Sequence, residues 1–154
     1  MQIEVDESSI VKANAQFWDQ MLSMHLEPMA TPDQFCLSSG HVVGIVQLSG
    51  AWTGRVEIRM EEGLIYHATA AMLMQPLETV LEPDVLDAAR EIANMIAGVI
   101  KSSLPRLCAM SVPESLIARE AFCGRMRDRH TVAVAFHHEA GDIMVSVLMR
   151  TCAP

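Results

Sequence analysis

The sequence predicts an α+β fold in which an antiparallel sheet is layered with two long helices and an N-terminal helix. Two observations predict this class. Apolar residues recur at helical spacing in three stretches, and β-branched or alternating stretches come in pairs joined by glycine-containing turns. Strands that follow one another in this way pair as antiparallel hairpins, whereas a parallel sheet needs a crossover between its strands. Because no repeat, low-complexity tract or long linker divides the chain, we expect one domain over residues 1–154.

The first predicted element is an amphipathic helix over residues 8–26. Ser8 or Ser9 can cap its first turn, and Pro28 is expected to end it. The residues that form its apolar stripe are Ile10, Ala13, Phe17, Met21 and Met24.

A hairpin is predicted next. The β-branched run 42–48 predicts one strand and the alternating run 55–60 its partner, with Gly50 and Gly54 in the turn between them. The alternation directs the apolar residues of the second strand toward the core and its charged residues outward. The apolar residues are Val56, Ile58 and Met60, and the charged residues are Arg55, Glu57 and Arg59.

Two helices follow this hairpin. Residues 61–75 are rich in alanine and methionine and predict a second helix that ends before a proline. Pro83 and Asp84 open a third helix, which is expected to run to Leu104 and to stop at Pro105.

The last part of the chain predicts strands. Residues 115–120 form a possible strand. Residues 131–138 and 142–149 predict a closing hairpin, because both runs are apolar and Gly141 lies in the short turn between them.

The charge of the chain excludes some classes of function. It carries 11 basic and 19 acidic side chains, a formal charge of −8, and this argues against nucleic-acid binding, which needs clustered Lys and Arg. No uncharged apolar stretch approaches the ~20 residues of a membrane span, and the N-terminus is acidic where a secretory signal is basic. We therefore expect a cytoplasmic protein that does not bind membranes. Residues 1–84 carry a net −9 and residues 85–154 a net +1, so a phosphate-bearing partner fits the second half better.

Neither the cysteines nor the histidines predict a metal site. The four cysteines lack any paired spacing, which favours buried free thiols in a reducing compartment over a metal site or a disulfide framework. They are Cys36, Cys108, Cys123 and Cys152. His137 and His138 are adjacent on an alternating strand, so their side chains point to opposite faces and cannot chelate one ion together.

The third helix has a polar face opposite its apolar stripe. At about 100° per residue, one side collects the branched apolar residues and the other side collects polar residues and a glycine. The polar side consists of Asp87, Glu91, Asn94, Gly98 and Lys101. Two of these residues oppose the helix, since glycine costs ~1 kcal/mol relative to alanine in a helix interior and asparagine up to ~0.7 kcal/mol. Residues that disfavour the local secondary structure without an evident structural gain tend to lie at functional sites.

A purely structural explanation of this face also stays open. Glu91 can be an ordinary solvated residue with Lys101 as its neighbour, and Gly98 can permit close packing between helices. The spacing Glu-x-x-Asn alone is expected by chance about once in every few chains of this length.

The stretch Asp87–Lys101 resembles the functional helix of the CheC/CheX/FliY family of chemotaxis phosphatases. That family carries an Asp or Ser, then a Glu, then an Asn on one helix, and a later proline segment that Ser111–Pro113 resembles. The predicted hairpin over 42–60 and the helix after it are also similar. CheC and FliY carry two copies of the helix, whereas this chain has one, as CheX does. The resemblance covers most of residues 10–150 and implies a CheC/CheX-like fold.

The resemblance implies a phosphatase that acts on a CheY-type response regulator phosphorylated on a receiver aspartate. Asn94 would orient the attacking water, and Glu91 would pair with the active-site lysine of the receiver. Asp87 and Lys101 would be docking contacts, and Gly98 would leave clearance for the partner. No cofactor is expected on this chain, since the receiver supplies the Mg²⁺.

The CheX-like resemblance also implies a homodimer in which strands of the two copies are joined edge to edge. The predicted strand over 131–136 and its hairpin partner over 142–149 are the candidate strands for this contact. Two other functions stay open: a non-catalytic adaptor that docks a receiver, and a structural homodimer whose polar face is merely solvated. Arg125, Arg127 and Arg129 can either dock an acidic receiver surface or act as charged gatekeepers on an edge strand.

Overall fold

The computed structural model describes residues 5–29, 35–50, 53–104, 108–123 and 131–150. Its helices are α1 (Glu7–Leu22), α2 (Glu62–Leu73) and α3 (Glu82–Ser102), with a 3₁₀ turn at Leu77–Thr79. Its strands are β1 (Glu27–Pro28), β2 (Cys36–Leu37), β3 (Val42–Gly50), β4 (Thr53–Met60), β5 (Cys108–Met110), β6 (Glu114–Ile117), β7 (Phe122–Cys123), β8 (Thr131–His137) and β9 (Ile143–Arg150). The predicted α+β class, with helices layered on an antiparallel sheet, is confirmed.

The main sheet has seven strands, which pair antiparallel in the order β1-β8-β9-β4-β3-β5, and β6 also pairs with β3. Both predicted hairpins form: Val42 lies opposite Met60, and Thr131 lies opposite Leu148. The strands β5 and β6 share one side of β3, near Leu48 and near Val42 respectively, and together form one edge of the sheet.

The three helices cover one face of this sheet. In β4 the apolar residues Val56, Ile58 and Met60 have no exposed surface, and the charged residues between them are half-buried, as the alternation predicts. These residues belong to one large apolar cluster that also contains the buried stripes of α1, α2 and α3. Burial of this area from water is the main stabilising term of the fold.

The other face of the sheet is covered at one end by a two-stranded ribbon of β2 and β7. Phe35 and Leu37 are buried against Ala135 and Met144, which form a second apolar cluster. Ala135 and Met144 lie opposite each other in β8 and β9 and alternate with residues of the large cluster. The ribbon and the helices therefore lie on opposite faces of the sheet.

Gly44 sets the distance between α3 and β3. A Cβ atom at this position would lie 2.7 Å from the carbonyl oxygen of Ala89 and 2.9 Å from the Cβ of Ala93. Neither neighbour is the end of a flexible side chain, so only glycine lets the helix backbone come this close. This contact holds the Ala89 and Ala93 side of α3 on the sheet, and the polar side of the helix points away from it.

The boundaries of α1 differ from the prediction. Its cap is Asp6, whose Oδ1 accepts a hydrogen bond of 2.9 Å from the backbone N–H of Ser9, so neither predicted serine is the cap. The helix ends at Leu22 rather than near residue 26, because Ser23 adopts the left-handed conformation with φ 53°. A left-handed residue at this point closes the last turn and redirects the chain.

The remaining differences are small. The possible strand over 115–120 is β6, which begins one residue earlier and ends at Ile117. Pro105 and residues 51–52 of the first turn lie outside the described residues. Within the described part of the chain, no helix is both long and apolar enough to cross a membrane.

Candidate functional site

The helix α3 is a fixed platform for the candidate site. The Asp84 carboxylate accepts a hydrogen bond of 3.1 Å from the backbone N–H of Leu81 and closes the first turn, where Pro83 has a suitable backbone angle. Lys101 in the last turn complements the negative end of the helix dipole. The buried residues of α3 are Val85, Ala88, Ala89, Ile92, Ala93, Ile96, Ala97 and Ile100. The predicted apolar stripe is confirmed except that Val99 is half-buried.

The opposite face of α3 carries the residues that the sequence predicted for it. Asp87, Glu91 and Asn94 are exposed, and Gly98 and Lys101 are half-buried. Residues three or four apart on a helix have Cβ atoms about 5–6 Å from each other, so the carboxylate of Glu91 and the carboxamide of Asn94 share one small area.

The side chains of Glu91 and Asn94 make no hydrogen bond and no ion pair with another described residue. Their carboxylate oxygens, amide oxygen and amide N–H groups therefore face solvent on this part of the surface. A carboxamide can accept a hydrogen bond through its oxygen while it donates through its nitrogen. The pair can consequently hold a polar ligand, a water molecule or a cationic side chain of another protein.

Gly98 stands one turn beyond Asn94 and does not pack closely against any described residue. A Cβ atom built on Gly98 would meet no atom of the described residues within 4 Å. The alternative that this glycine permits close contact between helices is therefore wrong. Gly98 instead leaves the surface beside Asn94 flat, at the cost of helix stability.

Asp87 is already paired. Its carboxylate forms an ion pair with the guanidinium of Arg90, which also donates a hydrogen bond of 3.0 Å to the Ser115 hydroxyl. That hydroxyl in turn donates to the backbone carbonyl of Leu86 at 2.8 Å. Arg90 thus ties the polar face of α3 to the edge strand β6. Sequence reasoning missed Arg90, although the spacing of three residues between Asp87 and Arg90 is the signal that predicts such a pair.

The segment Ser111–Pro113 lies where the edge passes from β5 to β6. Ser111 donates its N–H to the carbonyl oxygen of Gln47 at 2.9 Å, and its hydroxyl accepts from the N–H of Gln47 at 2.9 Å. Val112 beside it is highly exposed. This segment interrupts the strand pairing, as expected where a proline cannot donate a backbone hydrogen bond.

The histidine pair at the end of β8 behaves as two separate side chains. His137 Nδ1 lies 2.6 Å from the Asp142 carboxylate, and His138 Nδ1 accepts a hydrogen bond of 3.0 Å from the N–H of Ala140. No cluster of three or more His, Cys, Asp or Glu residues that could hold a metal ion occurs among the described residues. The stretch with Arg125, Arg127 and Arg129 lies outside those residues.

The thiols depart from the prediction. Cys108 is buried, as expected, but Cys36 and Cys123 are exposed, so the prediction of buried thiols is wrong for these two. They lie opposite each other in the ribbon, which the sequence separation of 87 residues did not indicate. Cys152 lies outside the described residues.

In a comparison with protein families, residues 42–137 match the family model described as chemotaxis phosphatase CheX. This range contains the first hairpin, α2, the whole of α3 and the edge strands β5 and β6. No curated protein matches the chain.

Several solved structures share the fold. The chemotaxis protein CheX from Vibrio vulnificus is 21% identical and aligns over 94% of this chain and 95% of that chain, with a TM-score of 0.75. A CheC-like superfamily protein from Shewanella sp. PV-4 is 21% identical, over 93% of this chain and 96% of that chain, also with a TM-score of 0.75. A chain in the CheX-CheY-BeF3-Mg2+ complex from Borrelia burgdorferi is 16% identical, over 93% and 96% of the two chains, with a TM-score of 0.64.

Proposed function

The chain belongs to the chemotaxis phosphatase CheX family, and from this premise we propose that it removes the phosphoryl group from a phosphorylated CheY-type receiver in the cytoplasm. The bond that breaks is the acyl phosphate of a receiver aspartate. The observation that carries the proposal is the exposed pair Glu91 and Asn94, which lies within the matched range on a helix held rigidly by its other face.

Asn94 is the proposed catalytic residue. Its amide oxygen accepts a hydrogen bond from the attacking water, and its NH₂ group donates to a phosphoryl oxygen. The water oxygen then bonds to phosphorus while the bond to the aspartate oxygen breaks, which yields inorganic phosphate and a free carboxylate. Phosphoryl transfer of this kind depends on positioning and on charge stabilisation, so no nucleophile from this chain is required.

The other residues of the face dock the receiver. Glu91 pairs with the active-site lysine of the receiver and thereby brings Asn94 into register with the phosphoryl group. Lys101 and the Asp87–Arg90 pair contact the receiver surface, and Gly98 leaves the clearance that the partner backbone needs. The exposure of Glu91 and Asn94 and the open space above Gly98 support these roles.

The receiver supplies the Mg²⁺, and this chain binds no cofactor of its own. The Borrelia burgdorferi structure, a complex of CheX with CheY, BeF3 and Mg2+, supports a partner of this class. The alternative is an adaptor that docks the same receiver without hydrolysis. An adaptor has no need for an asparagine in a helix interior, where it lowers helix stability, and this favours catalysis.

The test is phosphate release from a phosphorylated CheY-type receiver in the presence of Mg²⁺. Asn94→Ala is expected to lower the maximal rate by about 10²-fold, which corresponds to ~2.7 kcal/mol of barrier, with receiver binding nearly intact. Water positioning acts in the transition state, so the loss belongs in kcat rather than in affinity. Glu91→Ala is expected to lower both the rate and the affinity, and Lys101→Glu chiefly the affinity.

Glu82→Ala is the matched control, because it removes an exposed carboxylate from the same helix outside the polar face. It should change neither rate nor affinity. An Asn94→Ala protein that is folded, binds the receiver and still accelerates hydrolysis like the parent contradicts the phosphatase proposal and leaves the adaptor. If all three variants still bind the receiver like the parent, this face is excluded as the docking surface.

A further inference from the structure

The ribbon brings two cysteines together from distant parts of the chain. Cys36 and Cys123 are direct partners in the antiparallel register of β2 and β7, and both side chains are exposed. The Cys36 thiol donates to Cys123 Sγ at a distance of 2.8 Å between the sulfur atoms. A disulfide bond is ~2.05 Å long, so the two sulfurs need to approach by less than an ångström to bond.

The backbone geometry of this pair suits a disulfide. Residues directly opposite in an antiparallel pair have Cα atoms about 4.5 or 5.5 Å apart, depending on the hydrogen-bonding position. Both values lie within the range of about 4.4–6.8 Å that a disulfide spans. No backbone rearrangement is therefore needed to join Cys36 to Cys123.

The ribbon holds the two cysteines in register through its other residues. Leu37, which follows Cys36, is buried in the second apolar cluster. Phe122, which precedes Cys123, lies under the guanidinium of Arg59 at 4.4 Å from the ring centroid. Because strand side chains alternate, the anchoring of these two neighbours turns both cysteines outward together.

We propose that Cys36 and Cys123 form a dithiol site that low-molecular-weight disulfides, such as oxidised glutathione, convert to an internal disulfide. This site is separate from the polar face of α3, since the ribbon and the helices cover opposite faces of the sheet. In a reducing compartment the pair stays as thiols, and it reacts when the pool of such disulfides rises.

The reaction is a two-step thiol–disulfide exchange. Cys123, as the thiolate, attacks one sulfur of oxidised glutathione, so a mixed disulfide forms and one glutathione leaves. Cys36 then loses its proton and attacks the protein sulfur of the mixed disulfide, which forms the Cys36–Cys123 bond and releases the second glutathione. Two protein thiols are oxidised by two electrons, one glutathione disulfide is reduced, and the two thiol protons end on the two glutathiones.

The order of the two steps follows from the hydrogen bond between the sulfurs. Because Cys36 donates to Cys123, the pKa of the Cys36 thiol is raised, and desolvation by neighbouring atoms and the nearness of Cys123 raise it further. A raised pKa disfavours the thiolate of Cys36, so we assign the second step to Cys36.

The experiment treats the purified full-length chain with oxidised glutathione and identifies the products by intact mass and by peptide mapping without reduction. The parent is expected to lose the mass of two hydrogen atoms and to yield one cross-linked peptide that contains Cys36 and Cys123. A variant with Cys108→Ala and Cys152→Ser is the matched control and should give the same product. Cys36→Ser and Cys123→Ser each lack a partner and should instead retain one glutathione.

Thermal unfolding supplies a second measurement. The disulfide closes a loop that contains α3 and most of the sheet, so the oxidised parent is expected to melt about 5–15 °C above the reduced parent. The two single serine variants should show no such rise. Three outcomes overturn the proposal: two glutathiones on the parent without a cross-link, a disulfide that maps to another pair, or no reaction at Cys36 and Cys123. None of them depends on phosphatase activity.

Discussion

His41 is a buried polar residue whose two ring nitrogens both have partners. Its Nδ1 donates to the carbonyl oxygen of Ser38 at 2.8 Å, and its Nε2 accepts from the guanidinium of Arg59 at 2.9 Å. Arg59 also pairs with Glu57 at 2.6 Å and lies over Phe122. The neutral ring satisfies this arrangement, whereas a protonated ring would place a second N–H against Arg59.

This arrangement predicts that the contribution of His41 to stability is lost in mild acid. Burial is the main cause that lowers the pKa of His41 below its usual 6.5, and the charge of Arg59 lowers it further, while the Ser38 carbonyl opposes both. As the pH falls below 6.5, His41 therefore binds a proton more readily in the unfolded chain than in the folded chain. The contribution of His41 to the free energy of unfolding is present above that pH and is lost as the pH falls through the folded pKa.

Urea unfolding of the parent and of His41→Gln, at about pH 7.5 and about pH 5.5, checks this. Glutamine keeps a hydrogen-bonding side chain but does not titrate, so the advantage of the parent over the variant should shrink in acid. The pKa of His25 is raised, chiefly by Asp19 and then by Glu27, so its contribution to stability is present in acid and is lost as the pH rises. This contribution is the same in the parent and in the variant, so it cancels in the difference between them. A difference that stays constant or grows in acid would show that His41 is not buried as a neutral ring.

At the residue scale, helical periodicity alone predicted which side chains of α3 face outward. Glu91 and Asn94 are exposed because their positions on the helix decide their side once the apolar stripe is known. The pairing of Arg90 with Asp87 had a local signal, but its link to the sheet edge was missed because its second partner, Ser115, lies in the separate strand β6. The Cys36–Cys123 pair was missed because the register of two short strands depends on tertiary packing and leaves no local pattern.

At the scale of elements, two glycines at α3 have opposite roles. One lies in β3, where the helix packs on the strand, and the other lies in the helix itself. Gly44 of β3 faces the Ala89 carbonyl and Ala93, whereas Gly98 of α3 faces open space. We predict that Gly44→Ala lowers the free energy of unfolding by about 1–3 kcal/mol, because the added methyl group must push the helix from the strand. Gly98→Ala should raise it by up to ~1 kcal/mol, because alanine is the better helix former and nothing obstructs it.

Urea denaturation of the two variants beside the parent measures both changes, and each variant is the control for the other. Equal effects of the same sign would contradict the assignment of Gly44 as a packing residue and Gly98 as a surface residue. Gly98→Ala also separates the effect on stability from the effect on docking. A variant that is more stable than the parent but binds the receiver less well has lost the clearance proposed for the partner.

Long elements were predicted well and short elements were not. The strands of the hairpins β3–β4 and β8–β9 are seven or more residues long, and a regular pattern over most of such a strand can be recognised without knowledge of its partner. The two-residue strands β1, β2 and β7 carry no such pattern, and their pairing is decided by residues far away in the sequence. The end of α1 was missed because Ser23 is not a residue that typically takes the left-handed conformation.

At the scale of the whole molecule, the sheet has two edges, and each could join a second copy of the chain. Among the described residues, β1 pairs with β8 only at Phe136 and His137, near one end of the strand. The other edge consists of β5 and β6, where Leu116 is 46% exposed. We predict a homodimer through β8, because a long β-branched strand with partial cover on its outer side tends to pair with another strand.

Sedimentation equilibrium of the parent should give ~34 kDa, twice the chain mass of 16.9 kDa. Thr131→Lys places a charge on the part of β8 that β1 does not pair with, so the dimer should dissociate at concentrations where the parent remains dimeric. Leu116→Lys places the same charge on the β6 edge and should leave the mass at ~34 kDa. If Leu116→Lys dissociates the dimer and Thr131→Lys does not, the interface lies at β6, beside the Ser115 that holds Arg90. The candidate site of one copy would then lie close to the other copy. A monomeric parent at tens of micromolar would exclude both edges as dimer interfaces, and α3 would then act on its receiver from a single chain.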